Sequence, residues 1–303
     1  MSLDSDAVID RKKLKRRLGW WRLAAIVAVT AGALLLLVRD QDIVPRDYVA
    51  QIDVEGIIVE DAARDRQLAR IARDEHAQAL IVTINSPGGT VVGGETLYKK
   101  LRDVAAKKPV VAVMGTLATS GGYMTAIGAD YILAHGGTVT GSIGVILQST
   151  DVTGLLKKLG IEAEAIKSSP LKAVPNPFEP LTEAGRAATR AVVLDMFEQF
   201  IALVAKRRKM SDSEVRSVAD GRIFTGRQAL AVRLIDGIGG RDEAREWLKT
   251  NHNVAKSLPV RRFRPPEEGE FSLRLARQLV GKVLFSERLT LDGLVSVWHP
   301  DAK

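Results

Sequence analysis

Cysteine is absent from all 303 residues, which excludes disulfides, a thiolate nucleophile and cysteine-ligated metal. Histidine is scarce. His76, His135, His252 and His299 are too scattered for metal-ligand spacing, and nothing else in the sequence calls for a metal, a nucleotide or another cofactor. Aromatic residues make up 5% of the chain and do not interleave with basic ones. The net charge of +8 therefore does not read as a nucleic-acid surface. Half of that excess sits in residues 1–46, which hold nine basic and five acidic residues. No internal repeat is visible, and long hydrophobic runs are missing with one exception.

The exception is RKKLKRRLGWWRLAAIVAVTAGALLLLVRD. Leu23–Val38 carries no charge, and Trp20–Val38 carries only Arg22. At 1.5 Å per residue the longer stretch approaches the ~30 Å hydrocarbon layer. Trp20 and Trp21 suit the interface, and Arg22 can snorkel to it. Six basic residues between Arg11 and Arg17 precede the run and a mixed RDQD follows it. That bias predicts a cytoplasmic N-terminus, a single-pass anchor and the bulk of the chain outside. A cleaved leader is the rival reading, but LLLLVRDQD lacks an A-x-A-like site. The expected division is a basic N-terminus (1–19), an anchor (20–38), a linker (39–46), a main domain (47–250) and a C-terminal extension (251–303).

Beyond the linker the pattern is α/β. DYVAQIDVEG reads as a strand and turn, Glu60–Glu75 as an amphipathic helix, and LIVTINS as a buried strand running into PGGTVVGGE. Glu95–Lys107 reads as the next helix. Then follow PVVAVMG, the ATSGGYMTAIGA helix, YILA, SIGVILQ, a helix over Val152–Leu159, and IEAEAIKS. Apolar strands alternating with helices predict a mainly parallel sheet. SSPLKAVPNPFEP, with four prolines, is a long loop. A long helix runs from Thr182 to about Lys209. Ser211 with Glu214 makes a capping box, Thr225 caps a further helix, and Phe271–Phe285 is amphipathic.

The chain is organised around Val110–Gly144. There a fully apolar strand turns abruptly into ATSGGYM, placing Ser120 at a strand-to-helix corner with Gly121 and Gly122 behind it. Such a serine can present its hydroxyl beside unpaired backbone N–H groups at a helix mouth. The bland reading is a helix N-cap. Acyl chemistry on an amide needs a nucleophile, a base and donors for the developing oxyanion. Asn85–Gly89 (NSPGG), at the end of the neighbouring strand, supplies a candidate donor, so the N–H groups of Gly88 and Gly121 could flank one oxygen.

The base is not comfortably a histidine. His135 lies at a strand end with no evident acidic partner, and a plain loop role suits it. A lysine serves only when neutral, so its amine must come down from ~10.4 toward ~7–8, at a cost of about 4 kcal/mol that burial can impose. Lys167 and Lys172 in the proline-rich loop are the candidates, and composition alone does not choose between them.

NSPGG, ATSGGYM, TGSIGV, KSSPLK, DGRIFTGRQA and LIDGIGG, in that order over roughly Tyr48–Lys249, resemble the signal peptide peptidase A (protease IV) family. The resemblance implies a Clp/crotonase-like fold and a membrane-anchored serine endopeptidase with a Ser–Lys dyad, acting through an acyl-enzyme. The family's nucleophile falls on Ser120 and its base on Lys172, the second lysine of the loop motif. The serine that orients the amine falls on Ser142, and the oxyanion donor on Gly88. Ser169 and Ala173 stand where the family usually has glycine and often has aspartate. One copy of the unit resembles the short form, which implies a homo-oligomeric ring. The implied substrates are released signal peptides and other unfolded apolar segments. No nucleic acid, metal or nucleotide is implied.

Two relatives on the same fold are weaker readings. A Clp-type peptidase needs a His–Asp pair after Ser120, and none suits. A crotonase-type acyl-CoA enzyme would leave Ser120 and Lys172 idle. A catalytically idle membrane scaffold on the same fold is the non-enzyme alternative.

Overall fold

The computed structural model describes residues 17–31 and 47–263, and the backbone of residues 294–297. The chain divides into two compact units, residues 1–46 and 47–303. In the first, residues 17–31 form helix α1, exposed along its length. Among the described residues no helix is long and apolar enough to cross a membrane. Residues 32–38 of the expected anchor lie outside the described residues, as does the amphipathic stretch Phe271–Phe285.

The second unit runs β1 (Tyr48–Ile58), α2 (Ala62–Arg73), β2 (Ala77–Thr90), α3 (Val91–Ala105), β3 (Val110–Thr119), α4 (Gly121–Ala126) and β4 (Tyr131–Ala134). It continues through β5 (Val139–Gly141), β6 (Ile146–Leu147), α5 (Thr153–Lys158), α6 (Glu183–Arg208), α7 (Asp212–Val218) and β7 (Ile223–Thr225). Last come α8 (Gly226–Ala231), β8 (Gly237–Ile238), α9 (Arg241–His252), β9 (Val260–Phe263) and β10 (Leu294–Val297).

The spine is a parallel run in the order β9-β1-β2-β3-β4-β8. Its strands bury both faces. Ala50, Ile52, Leu80, Val82, Ile84 and Ala112 meet α2, α3, α4 and α6 in the larger core, while Val49, Ala79, Ile81, Val111 and Val113 meet Ala244 and Leu248 of α9. A strand covered on both faces shows a continuous apolar run rather than alternation, which is why LIVTINS and PVVAVMG stand out in the sequence.

The helices start where side chains satisfy their first N–H groups. Asp61 accepts from Ala63 and Arg64, and Thr182 from Gly185. Ser211–Glu214 and Thr225–Gln228 form capping boxes.

Two stretches differ from expectation. Residues 161–167 form no strand; Ile161 and Ile166 are exposed there, the latter by 98%, with no sheet edge to pair. In α6 only Gly185, Phe200, Ile201 and Val204 are buried. Phe197 and Leu203 pack against the larger core, while Val192 and Leu194 in the first half are exposed. The sheet also continues past residue 250. Val260–Phe263 pairs in parallel with Val49–Ile52, and Leu294–Val297 pairs antiparallel with both β2 and β6. A charged, proline-rich surrounding hides short strands from any pattern argument.

The functional end of the sheet is made by divergence. β2 and β3 pair from Leu80↔Val110 to Ile84↔Met114, then shift register and make a last pairing at Ser86↔Ala118. Beyond that point β3 continues alongside β5, which pairs with β7, while the end of β2 takes up β10. The split opens at the carboxyl ends of two central parallel strands, where open α/β sheets characteristically bind ligands.

Candidate active site

β3 ends at Thr119 and α4 begins at Gly121, leaving Ser120 to make the whole turn. It does so at φ 54, ψ −117, outside the regions an L-residue occupies without strain. Its N–H donates to the Gly141 carbonyl at 2.8 Å, and its own carbonyl accepts from Met124 N–H at 2.8 Å. Ser120 occupies the N-cap position of α4, yet its side chain makes no capping bond to that helix. The bland N-cap reading therefore does not describe it. Ser120 is 2% exposed.

Ser142 lies next to this corner. Thr119 pairs with Gly141 across β3 and β5, and Ser142 follows at φ 50 with its N–H on the Arg222 carbonyl at 2.8 Å. Two buried threonines tie β5 to β3: Thr138 Oγ1 donates to Gly115 O and Thr140 Oγ1 to Ala118 O, both at 2.7 Å.

The NSPGG turn is packed directly against the α4 entrance. A Cβ added to Gly121 would fall 3.1 Å from Gly89 N and 3.4 Å from Gly88 Cα, and one on Gly122 would fall 2.9 Å from Ser86 O. Only glycine at Gly122 permits that approach without displacement. Gly121 N–H opens α4 and is among the donors that a helix leaves without an internal acceptor. Gly88 sits at φ 118, and its N–H donates to Ser86 Oγ at 3.1 Å. An oxyanion here would share or take that N–H from Ser86. Thr119 Oγ1 donates to Pro87 O at 3.0 Å, fastening the turn to the residue before Ser120.

Lys167 and Lys172 have different surroundings. Lys167 is largely covered and its Nζ lies 2.5 Å from Glu179 Oε2, whose other oxygen accepts from Asn176 at 3.2 Å. The Lys167 hydrogen bond holds the Glu179 carboxyl below the usual range. Lys172 is exposed in a turn, its backbone N–H on Ser169 O at 3.1 Å. Among the described residues no hydrogen bond or ion pair engages its amine. Ala173 follows at φ 60, a backbone position that asparagine and aspartate tolerate better than alanine. Within one chain, then, Ser120, Ser142, Gly88 and Gly121 come together, and no hydrogen bond joins Lys172 to Ser120. His135 is exposed elsewhere, its ring against Gly240 and its carbonyl against Gly226.

Ser86 and Thr119 escaped the sequence reading. Both are fully buried and both flank the motifs already singled out. Ser-Pro-Gly is itself the signal of a serine-capped turn, so Ser86 was open to detection; the Thr119–Pro87 bond depends on strand register and was not.

The family model for peptidase family S49 matches residues 102–255. A protein named as a protease in Synechocystis sp. is 38% identical over 206 residues, 68% of this chain and 74% of that protein. Protease 4 of Haemophilus influenzae is 32% identical over 65% of this chain and 33% of its own length. The chloroplastic serine protease SPPA of Arabidopsis thaliana is 30% identical over 64% of this chain and 29% of its own. Among solved structures, a membrane-bound stomatin-specific protease aligns over 73% of this chain and 99% of its own, at 16% identity and a TM-score of 0.47.

Proposed function

We propose, for a chain that belongs to peptidase family S49 and is a serine peptidase, that Ser120 is the nucleophile and Lys172 the general base of a Ser–Lys endopeptidase. The observation that carries this reading is the corner at Ser120. A serine held at φ 54 beside Gly121 N–H, against the Gly88–Gly89 turn, has what acyl transfer requires of nucleophile and oxyanion donors. Strain of this kind costs about 1–3 kcal/mol and persists where the surroundings impose it.

The hydroxyl of Ser120 attacks the peptide carbonyl as its proton passes to the neutral amine of Lys172. Gly121 N–H, with Gly88 N–H once released from Ser86, receives the oxyanion. Collapse expels the amine product, protonated by the same lysine, and water then hydrolyses the acyl-enzyme. Ser142, adjacent to the corner, orients the amine. Lys167 is already committed to Glu179 and serves the loop rather than the chemistry.

A lysine base must be desolvated, and the Lys172 side chain stands in solvent. Its loop and the neighbouring α5 also expose Leu155, Leu159, Ile166, Leu171 and Phe178. A second copy packed on that surface would cover these side chains and bury the amine, which supports a ring in which one protomer's Lys172 completes the next protomer's site. The substrates are released signal peptides and other unfolded apolar segments. The basic N-terminus and the run Trp20–Val38 would anchor the chain in the inner membrane, with the catalytic unit outside.

The test is covalent. A fluorophosphonate should label Ser120 in the full chain, and Ser120→Ala and Lys172→Ala should each reduce peptide hydrolysis by roughly 10³-fold or more. A Ser120→Ala chain that still hydrolyses peptide would point to a different nucleophile, and a parent chain that neither hydrolyses nor labels would return the idle scaffold.

A further inference from the structure

Helix α2 carries four arginines, and they divide. Arg64 turns inward and donates through Nη2 to Val59 O at 2.9 Å. Arg66, Arg70 and Arg73 are exposed; at 100° per residue they share an arc of about 60° and a rise of about 10 Å. Among the described residues none of these three side chains makes an ion pair or a hydrogen bond, whereas Arg102, Arg207, Arg208, Arg216, Arg222 and Arg233 are all ion-paired. Cations suit the last turn of a helix, which accounts for Arg70 and Arg73 but not for Arg66. Like charges three and four residues apart weaken a helix, so the row works against α2. Beside it α2 and α3 leave a groove of about 410 Å³, lined by Leu68, Ala69, Ala72 and Ala106 and by the cations Arg73 and Lys107. Asp74 accepts from the Tyr48 hydroxyl at 2.6 Å and Asp103 faces Lys100 at 3.9 Å, so neither neutralises this face. The Tyr48 bond also marks where residues 39–46 join the unit, with Asp47 against His76 at 3.2 Å. Those linker residues extend to at most ~29 Å, so a membrane holding Trp20–Val38 is within that distance of the junction.

We infer that Arg66, Arg70 and Arg73, with Lys107, form a docking surface for the headgroups of anionic phospholipids, a role that rests on the membrane placement proposed above. Guanidinium groups meet phosphate through paired N–H donors, and their stems lie along apolar surface. An open row of three suits a broad anionic sheet of lipid better than one small anion, which needs a closed pocket. The attraction is electrostatic and weakens as salt rises. It also orients the molecule. β1 and β2 pair in parallel, so α2 between them runs back along the strands. A unit resting on this face has its strands along the membrane plane. The cleft at their carboxyl ends, with Ser120, then opens sideways over the headgroups, where an apolar peptide leaving the bilayer would pass.

The test uses the full chain, whose lack of cysteine makes Ala62→Cys a single site for a fluorophore. Ala62 is exposed on the same face of α2. The labelled chain is reconstituted in vesicles of phosphatidylcholine, alone or with about a third phosphatidylglycerol, each carrying a headgroup nitroxide quencher. Quenching should be about threefold or more stronger in the anionic vesicles and return to the neutral level at high salt. It should also return to that level when Arg66→Glu, Arg70→Glu and Arg73→Glu are combined. The corresponding triple glutamine variant removes the charge without adding repulsion, and circular dichroism confirms that both are folded. Equal quenching in the two lipids, or quenching that survives both variants, overturns the inference, while flotation with neutral vesicles keeps the anchor. A parent chain that floats with neither lipid loses both. Flotation with anionic vesicles alone, abolished by the glutamate variant, keeps the docking face and removes the anchor. Lipid-independent quenching, with self-association in micelles that the glutamate variant abolishes, gives the face to a second copy and overturns the lipid assignment.

Discussion

Ser120 N–H donates to the Gly141 carbonyl at 2.8 Å, and through that bond two serines share one scaffold. Ser120 follows the end of β3 and Ser142 follows the end of β5, the two strands are paired in register, and both serines turn out of them with positive φ, at 54 and 50. Ladder pairing sets the distance between strand ends far more tightly than a loop could. The candidate nucleophile and its candidate supporting serine are thus placed by the sheet, not by flexible connections.

The strain at Ser120 has a measurable counterpart. Ser120→Gly should be more stable than Ser120→Ala by about 1 kcal/mol, because glycine adopts this backbone without the Cβ penalty. Thermal or denaturant unfolding of the two inactive variants checks it. Equal stabilities would mean that the corner costs nothing and that its geometry is no sign of function.

Thr119→Val should impair the chemistry more than the binding. The Thr119 hydroxyl holds Pro87 O, and its loss leaves that carbonyl unpaired and the Gly88 turn loose beside the oxyanion position. A fall in kcat of about tenfold with KM little changed is expected, with Thr119→Ser restoring most of the rate. A stability loss without a kcat change would make the bond structural only.

Much of this was legible in the sequence, and the limits have physical causes. The mainly parallel α/β sheet announced itself because doubly buried strands such as Leu80–Ile84 and Val110–Met114 must be apolar throughout. Helix starts at Thr182, Ser211 and Thr225 announced themselves through their capping side chains. Ser120 stood out through the small residues its corner needs. Pairing between distant segments did not show. Nothing in the composition of Leu294–Val297 says that it meets Thr90 and Ile146. The Lys167–Glu179 pair also depends on how a proline-rich loop folds back on itself, which local pattern does not encode.

That pair makes the two lysines separable. Lys167→Ala should retain most activity, within about tenfold, whereas Lys172→Ala should have almost none. Glu179 has its carboxyl held below the ordinary value, first by the Lys167 hydrogen bond. Its contribution to loop order is therefore complete above the unfolded carboxylate range, near pH ~4.3, and is lost as pH falls through the lower folded value. Hydrogen exchange at residues 167–179 should accelerate on acidification below about pH 4 in the parent chain and be fast at all pH values in Lys167→Ala. A dead Lys167→Ala beside an active Lys172→Ala would exchange the proposed roles.

Hydrolysis should rise with pH across the neutral range, since only an unprotonated amine accepts the proton from Ser120. Ser142→Ala should lower the rate and displace the inflection, by removing a hydroxyl that positions the amine, whereas a purely structural Ser142 would change the rate and leave the inflection in place. A flat kcat/KM profile between about pH 5 and 9 counts against a lysine base.

The arrangement of the dyad between copies follows from exposure. Ser120 is nearly buried, while Lys172 projects into solvent on a loop whose apolar side chains lack cover within one chain. If Lys172 of one protomer serves Ser120 of the next, two inactive proteins should repair each other. Dissociated Ser120→Ala and Lys172→Ala chains, mixed and reassembled, would form some sites that join an intact serine to an intact lysine. Activity should return to about a quarter of the parent level in an equimolar, randomly mixed ring, because half the protomers supply each intact partner independently. A site completed within one chain offers no such repair, and every site in the mixture would lack one member. Silence in a ring shown by mass to contain both variants would reject the shared site and leave Ser120 and Lys172 paired within a single protomer, which would then have to fold its loop inward to bury the amine.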